Sequence, residues 1–161
     1  MQIIRKANQS DLLALATINT INWRETYADI LPDEYLNTLS VSEIQKKWQT
    51  FIDSPVTTLQ VVEIDNEIAG FVATSDDDQI ENATYVDALH ISNRFQRKGL
   101  GTKLLNKVLE EAHKHNKRVT IAILKGNENA RNLYTKLGAV HLEDFTDHFG
   151  SVVTKSERLI W

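Results

Sequence analysis

Apolar positions recur along this chain at two spacings, and each spacing predicts a type of element. Ile3 and Ile4 form a short strand, after which Asn8, Gln9, Ser10 and Asp11 supply helix-capping side chains ahead of Leu12, Leu13, Leu15, Ala16 and Ile18 at helical intervals. The helical pattern continues from Trp23 to Phe51 but is interrupted at Leu31-Pro32-Asp33-Glu34. Pro32 suits the first position of a helix and the two acids suit its positive end, so two short helices are expected there. Residues 59–64 and 68–73 are β-type runs joined by Asp65-Asn66-Glu67 as a hairpin, and Asp76-Asp77-Asp78 reads as a polar loop. Ala83–Ile91, carrying Tyr85, Val86, Leu89 and Ile91, reads as a strand buried for much of its length. Leu104, Leu105, Val108, Leu109 and Ala112 then mark one face of a helix, and Arg118–Leu124 is a β-branched, apolar strand. Residues 129–137 are helical with Gly138 at the C-terminal cap, and residues 139–145 and 152–160 are the last strands. Loops are short, and no repeat or proline-rich linker interrupts the pattern, so residues 1–161 are expected to form a single α+β domain.

Composition excludes several classes. The 161 residues are 42% apolar and 25% charged, and a chain of this size buries roughly 70% of its unfolded surface without a metal or disulfide staple. With 18 Lys and Arg against 22 Asp and Glu the net charge is -4, which argues against a general nucleic-acid binder. The absence of cysteine removes disulfides, thiolate metal sites and a thiol nucleophile. Residues 1–6 carry no signal-type apolar block and no apolar run is long enough to span a membrane, so a cytoplasmic protein without membrane or nucleic-acid partners is expected. His113 and His115, two apart on a helix, face different directions, so no metal site is expected, and no Gly-x-Ser-x-Gly elbow supports serine hydrolysis.

The informative unit is strand, glycine loop, helix. Gly99 and Gly101 stand where residues 83–91 hand over to the next helix, a junction at which several amides lack partners and the helix dipole favours an anion. Residues 91–109 contain Arg94, Arg97, Lys98, Lys103 and Lys107 and no acid. A tight turn with a solvated basic face is the plainer reading of the same spacing. Two phosphate-binding motifs do not match. The glycines are separated by one residue rather than the four of a Walker loop, and Leu104 stands where the dinucleotide fingerprint needs its third glycine.

Gln96-Arg97-Lys98-Gly99-Leu100-Gly101 resembles the Gln/Arg-x-x-Gly-x-Gly/Ala signature of the GNAT acetyltransferase superfamily. Asn127-x-x-Ala130-x-x-x-Tyr134-x-x-x-Gly138 is similar to that family's second motif. The likeness extends over nearly the whole chain, through Trp23-Arg24-Glu25-Thr26-Tyr27 and Leu31-Pro32-Asp33-Glu34-Tyr35-Leu36 to the terminal strands; Ala139 in place of phenylalanine and Ser92-Asn93 in place of proline are departures. The resemblance implies a mixed, mostly antiparallel sheet of six to seven strands flanked by helices and splayed by a β-bulge at its central parallel pair. It also implies acetyl-coenzyme A as co-substrate, without a metal. The amides of residues 97–102, from Arg97 through Lys98, Gly99, Leu100 and Gly101 to Thr102, would hold the pyrophosphate. Leu89, His90 and Ile91 would pair with the pantetheine arm, and Gln96, Asn127 and Tyr134 would complete the cofactor contacts.

The implied activity is N-acetylation of a primary amine of a small molecule, polyamine-like or amino-acid-like, by direct attack in a ternary complex. An alkylammonium with a pKa near 10.4 must first lose a proton, at a cost of roughly 4–5 kcal/mol at neutral pH. Asp87, two residues from Leu89 and so expected on the same face, is the first candidate base; a structural ion pair is its plainer role. His90 is the competitor, pointing away from Asp87 unless a bulge intervenes, and a merely packed histidine is its plainer role. Tyr134 supplies an O–H for the leaving sulfur, with an ordinary core tyrosine as the alternative, and the resemblance implies that the Leu89 amide faces the developing oxyanion. Trp23, Tyr27 and Tyr35 are candidates for the acceptor wall, and Asp33, Glu34 and the acids at 76–78 for attracting a cationic amine. A non-catalytic acyl-coenzyme A sensor, and an acetyltransferase acting on protein N-termini or lysines, are the competing functions. The sequence leaves room for a homodimer.

Overall fold

In the computed structural model, which describes residues 1–161, the alternating segments become seven strands of one sheet. In chain order the elements are β1 (Gln2–Lys6), α1 (Leu12–Thr26), α2 (Asp33–Leu36), α3 (Val41–Asp53), β2 (Thr58–Ile64), β3 (Glu67–Asp76), β4 (Ala83–Ile91), α4 (Leu100–Lys114), β5 (Arg118–Leu124), α5 (Glu128–Lys136), β6 (Val140–Phe149) and β7 (Val152–Ile160). The strand order is β1-β2-β3-β4-β5-β7-β6, antiparallel at every junction except β4 with β5. The mixed α+β sheet inferred from the resemblance is the sheet observed.

Local chemistry accounts for the element ends. Asn8 accepts a hydrogen bond from the Ser10 amide, and Asp11 accepts one from the Asn8 amide, a reciprocal cap ahead of α1. Arg5 donates to Asp11 (2.8 and 3.0 Å) and to Glu63 (2.9 Å), tying β1 and β2 to the start of that helix. Asp65 and Asn66, at φ 48 and 68, form the two-residue turn that joins β2 to β3, as the hairpin signal predicts.

Three sequence expectations need correction. The segment read as two short helices is in three pieces, because α1 runs on through Trp23 to Thr26 before α2 and α3. Asp76 belongs to β3 rather than to a loop, paired with Thr84. β6 runs to Phe149, past its expected end at residue 145; as an edge strand paired only with β7, it needs little apolar surface to hold it.

The sheet buries both faces. Val72, Val86, Val119, Ile121, Ile123 and Leu159 point to the side covered by α4 and α5, where they meet Leu104, Leu105 and Tyr134. Phe71, Ala73 and Val61 point to the other side, against Leu15 of α1 and Trp48 of α3. Trp48 is fully buried and its indole N–H donates to Asn19 Oδ1 (3.0 Å), so the largest side chain of that core leaves no orphan donor.

β4 breaks the regularity in two ways. Against β3 the register steps from Thr74↔Val86 to Ala73↔Ala88, so Asp87 is an additional residue, a β-bulge. Against β5 the pairing ends at Val86↔Ile121, while β5 continues with β7 as far as Leu124 and β4 continues with β3 as far as Ile91. The parallel strands therefore diverge, and the sheet is split at its centre.

Candidate active site

The loop from β4 to α4 is shaped by two left-handed residues, Arg97 at φ 63 and Gly99 at φ 79. In a non-glycine residue that conformation costs about 1–2 kcal/mol, so the strain at Arg97 is held by its surroundings. The amides of residues 97–102 donate to no protein acceptor; the first bond past the loop is from Lys103 N–H to Gly99 O (3.0 Å). Consecutive free amides at a helix N-terminus form a cradle for an anion. Leu100 offers only its amide, since its side chain is buried in the core, and Lys98 lies over the Phe95 ring. Gln96 donates to Ile91 O and Asn93 Oδ1 (both 3.0 Å), tying the loop to the end of β4.

The cradle leads to an open strand edge. Ser92 N–H donates to Ala69 O (2.8 Å), whereas Ile91 O accepts from the Asn22 and Gln96 side chains (both 3.0 Å). Backbone polar groups alternate along a strand, so those of Leu89, like those of Ile91, face the gap that β5 leaves. This gap opens into a cleft of about 630 Å³ lined from both faces of the sheet. Arg97, Gly101, Leu133 and Tyr134 line it on the α4–α5 side, and Trp23, Tyr27, Tyr85, Asp87, Asp147 and Phe149 on the other. A Cβ added at Gly101 would meet only Ile91 and Leu133, at 3.8 and 4.0 Å, so the fold tolerates a side chain where the cleft would lose room.

Proton chemistry inside the cleft is set by burial. Burial raises the Asp87 carboxyl above its ordinary range; a hydrogen bond from Ser75 Oγ (2.6 Å) and the charge of Lys47 partly offset this. Burial lowers Lys47 in turn, partly offset by Asp87. His90 is pushed down to about 4 by burial and, secondarily, by Lys47. Ile91 O can only accept, so Asn22 presents its NH2 there. The same group faces His90 Nδ1 at 3.4 Å, leaving the histidine proton on Nε2. Burial raises Tyr134, and nearby Tyr27 adds to the effect; Tyr27 is itself raised by burial and eased by Asn127. Tyr134 thus keeps its proton as a hydrogen-bond donor at the floor of the cleft.

The bulge corrects the assignment of faces along β4. Leu89 packs with the α4–α5 core, whereas Asp87 bonds Ser75 and Ala88 packs with the α1–α3 core, so Asp87 lies on the side of His90 and not of Leu89. Trp23 and Tyr27 line the cleft as expected, but Tyr35 does not; it stands behind Phe149, ring centroids 5.8 Å apart. Asp33 and Glu34 lie in the first turn of α2, and Asp76 pairs with Lys117 (3.2 Å). The Asp77 side chain is fully buried. Against the pull of burial, the Thr120 hydroxyl, the Gln79 and Ile80 amides and the Arg158 charge hold its carboxyl below the ordinary range. None of Asp33, Glu34 and Asp76 to Asp78 lines the cleft. Asn127 lines the cleft and also caps α5, accepting from Ala130 N–H (3.4 Å).

Sequence reading missed Asn22, Tyr85, Asp147 and Phe149, which reach the cleft from distant elements; the aromatic-acid alternation at 145–149 is the one local signal among them. A separate cavity of about 350 Å³ lies at His141, Asp144 and Glu157, whose potential ligand atoms fall within 4.8 Å of one another. Its carboxylates are already paired, Glu157 with Arg131 (2.8 Å) and His141 (2.6 Å), and Asp144 with Lys125 (2.7 Å).

Comparison with known proteins gives a consistent picture. The model of the acetyltransferase (GNAT) family matches residues 15–139. The uncharacterized N-acetyltransferase YuaI of Bacillus subtilis is 29% identical over 119 residues, 71% of this chain and 66% of the relative. Among solved structures, the PaiA N-acetyltransferase of Thermoplasma acidophilum in complex with coenzyme A superposes with a TM-score of 0.75 at 20% identity, covering 97% of this chain and 98% of that one. The YncA putative acetyltransferase of Salmonella typhimurium with its cofactor acetyl-CoA gives 0.76 at 20% identity, covering 100% and 93%.

Proposed function

The chain belongs to the acetyltransferase (GNAT) family, and from this we propose that it transfers an acetyl group from acetyl-coenzyme A to a primary amine of a small molecule by direct attack in a ternary complex. The observation that carries the reading is the run of free amides at 97–102 opening into a cleft that crosses the sheet. The two neighbours crystallised with coenzyme A or acetyl-CoA support the choice of co-substrate.

The residues present fit that molecule. Amides 97–102, with Arg97, suit a diphosphate, and the Leu89 edge suits the amides of an extended arm. Acetyl-coenzyme A supplies, when bound, an acyl carbon activated as a thioester. Leu89 N–H, at the split, is placed to bond the acyl oxygen as charge develops on it. Asp87 takes a proton from the attacking ammonium, and its raised pKa narrows the gap that makes this transfer costly. Tyr134 donates a hydrogen bond to the departing sulfur and retains its proton until that sulfur is basic enough to take it. Neutral His90 serves by orienting Asn22 against the end of β4, not as the base.

Free-thiol release measured across a panel of primary amines tests this. Amine-dependent release is expected, with Asp87→Asn slower by about a hundredfold and Tyr134→Phe by about tenfold or more, with little change in coenzyme A affinity. Release independent of any amine would contradict the function, and full turnover by Tyr134→Phe would remove that residue from its role.

A further inference from the structure

We propose that the acceptor is a linear diamine whose reacting nitrogen meets Asp87 while its second, charged nitrogen is held by Asp147 with the hydroxyls of Thr154 and Ser156. The inference rests on the acetyl-transfer reading of the same cleft and names the class of its second substrate.

Three acceptor groups stand on one surface. In the β6–β7 register Asp147 is opposite Thr154 and Phe145 is opposite Ser156, which places Asp147, Thr154 and Ser156 on the same face of the sheet. Phe149, two residues from Asp147, packs against Trp23 at 5.5 Å, so this is the α1–α3 face that also carries Asp87. Residues directly opposite have Cβ atoms about 5 Å apart, within reach of one ligand group. Asp147 and Ser156 both line the cleft.

The second observation is the state of the hydroxyls. Ser156 is 1% exposed and its Oγ has no hydrogen-bond partner; the buried Thr154 Oγ1 has none either. Native folds rarely leave such atoms unsatisfied, and a ligand donor is one reason they do. Asp147 has no ion-pair partner. The neighbouring cation Arg158 is committed to Asp77 (3.3 Å) and Glu143 (3.7 Å).

An alkylammonium carries three N–H donors and no acceptor, which matches one carboxylate and two hydroxyl oxygens that await donors. Tyr85 lines the same cleft as Asp87 and Asp147, and Trp23 and Phe149 add apolar surface there for the methylene chain. An acceptor bearing a carboxylate near its amine would instead meet Asp147 as a like charge.

The test compares α,ω-diaminoalkanes with n-alkylamines of the same length, by calorimetric binding to the protein saturated with coenzyme A and by thiol release with acetyl-coenzyme A. At least one diamine is expected to bind about tenfold tighter than its monoamine. Asp147→Asn removes that ratio and Ser156→Ala lowers it, while Asp144→Asn, on the opposite face of β6, keeps it. Equal affinities throughout, or a ratio that survives Asp147→Asn, overturn the proposal. A diamine preference in binding without any thiol release upholds it and overturns the acetyl-transfer reading; turnover without diamine preference does the reverse.

Discussion

His90 lies with its ring 5.5 Å from that of Phe71 and its Nδ1 facing Asn22, and in that setting its pKa falls to about 4. The unfolded value is near 6.5, so between about pH 4 and 6.5 the unfolded chain binds a proton that the native state refuses. Stability contributed by neutral His90 is therefore complete above about pH 6.5 and is lost as pH falls through that window. His90→Gln should remove a slope on the order of 3 kcal/mol between pH 7 and 4, read by urea denaturation at a series of pH values. Parallel slopes in the two proteins would show that the ring is not held neutral. The sequence names His90 and Asp87 as neighbours able to carry protons, but the faces they occupy depend on one additional residue in β4. Asp87 itself is that residue, and nothing in its composition marks a bulge.

At the scale of elements, the loop ahead of α4 was readable because its chemistry is local: strand, cations, two glycines, then an apolar helical face. The two glycines do different work, which the motif alone does not tell. Gly99 sits at φ 79 with nothing within 4 Å of an added Cβ, so its requirement is conformational, and Gly99→Ala should cost about 1 kcal/mol of unfolding free energy. Gly101 meets ordinary contacts at 3.8 and 4.0 Å, and Gly101→Ala should stay within about 0.5 kcal/mol of the parent. Denaturant titration of both variants checks the pair; a larger loss at Gly101 than at Gly99 would reverse the assignment. β6 was the element read least well. Its first half, residues 140–144, is exposed without alternation and only 145–149 alternate, and Asp147 reaches the cleft only because β6 pairs with β7 and β7 with β5.

Across the whole molecule, the split between β4 and β5 joins two unlike surfaces. The α4–α5 side presents free amides and Arg97, and the α1–α3 side presents Asp87, Asp147 and aromatic rings, so an anionic and a cationic partner can enter from opposite faces. Strand number, hairpin and helical faces follow from periodicity, and the mixed, mostly antiparallel sheet and the existence of a split follow from the family resemblance. The buried Asp77–Arg158 pair, the turning of Asp87 and the contribution of Asp147 come from non-local pairing that no short window of sequence contains. In the proposed function, the backbone cradle at 97–102 holds coenzyme A and directs its thioester into that split. Calorimetric titration of coenzyme A into the parent protein and into Gly101→Val decides this. One molecule should bind per chain, with affinity weakened about tenfold or more in the variant while its unfolding midpoint holds; absence of binding by the parent, or equal affinity in the two, would contradict it.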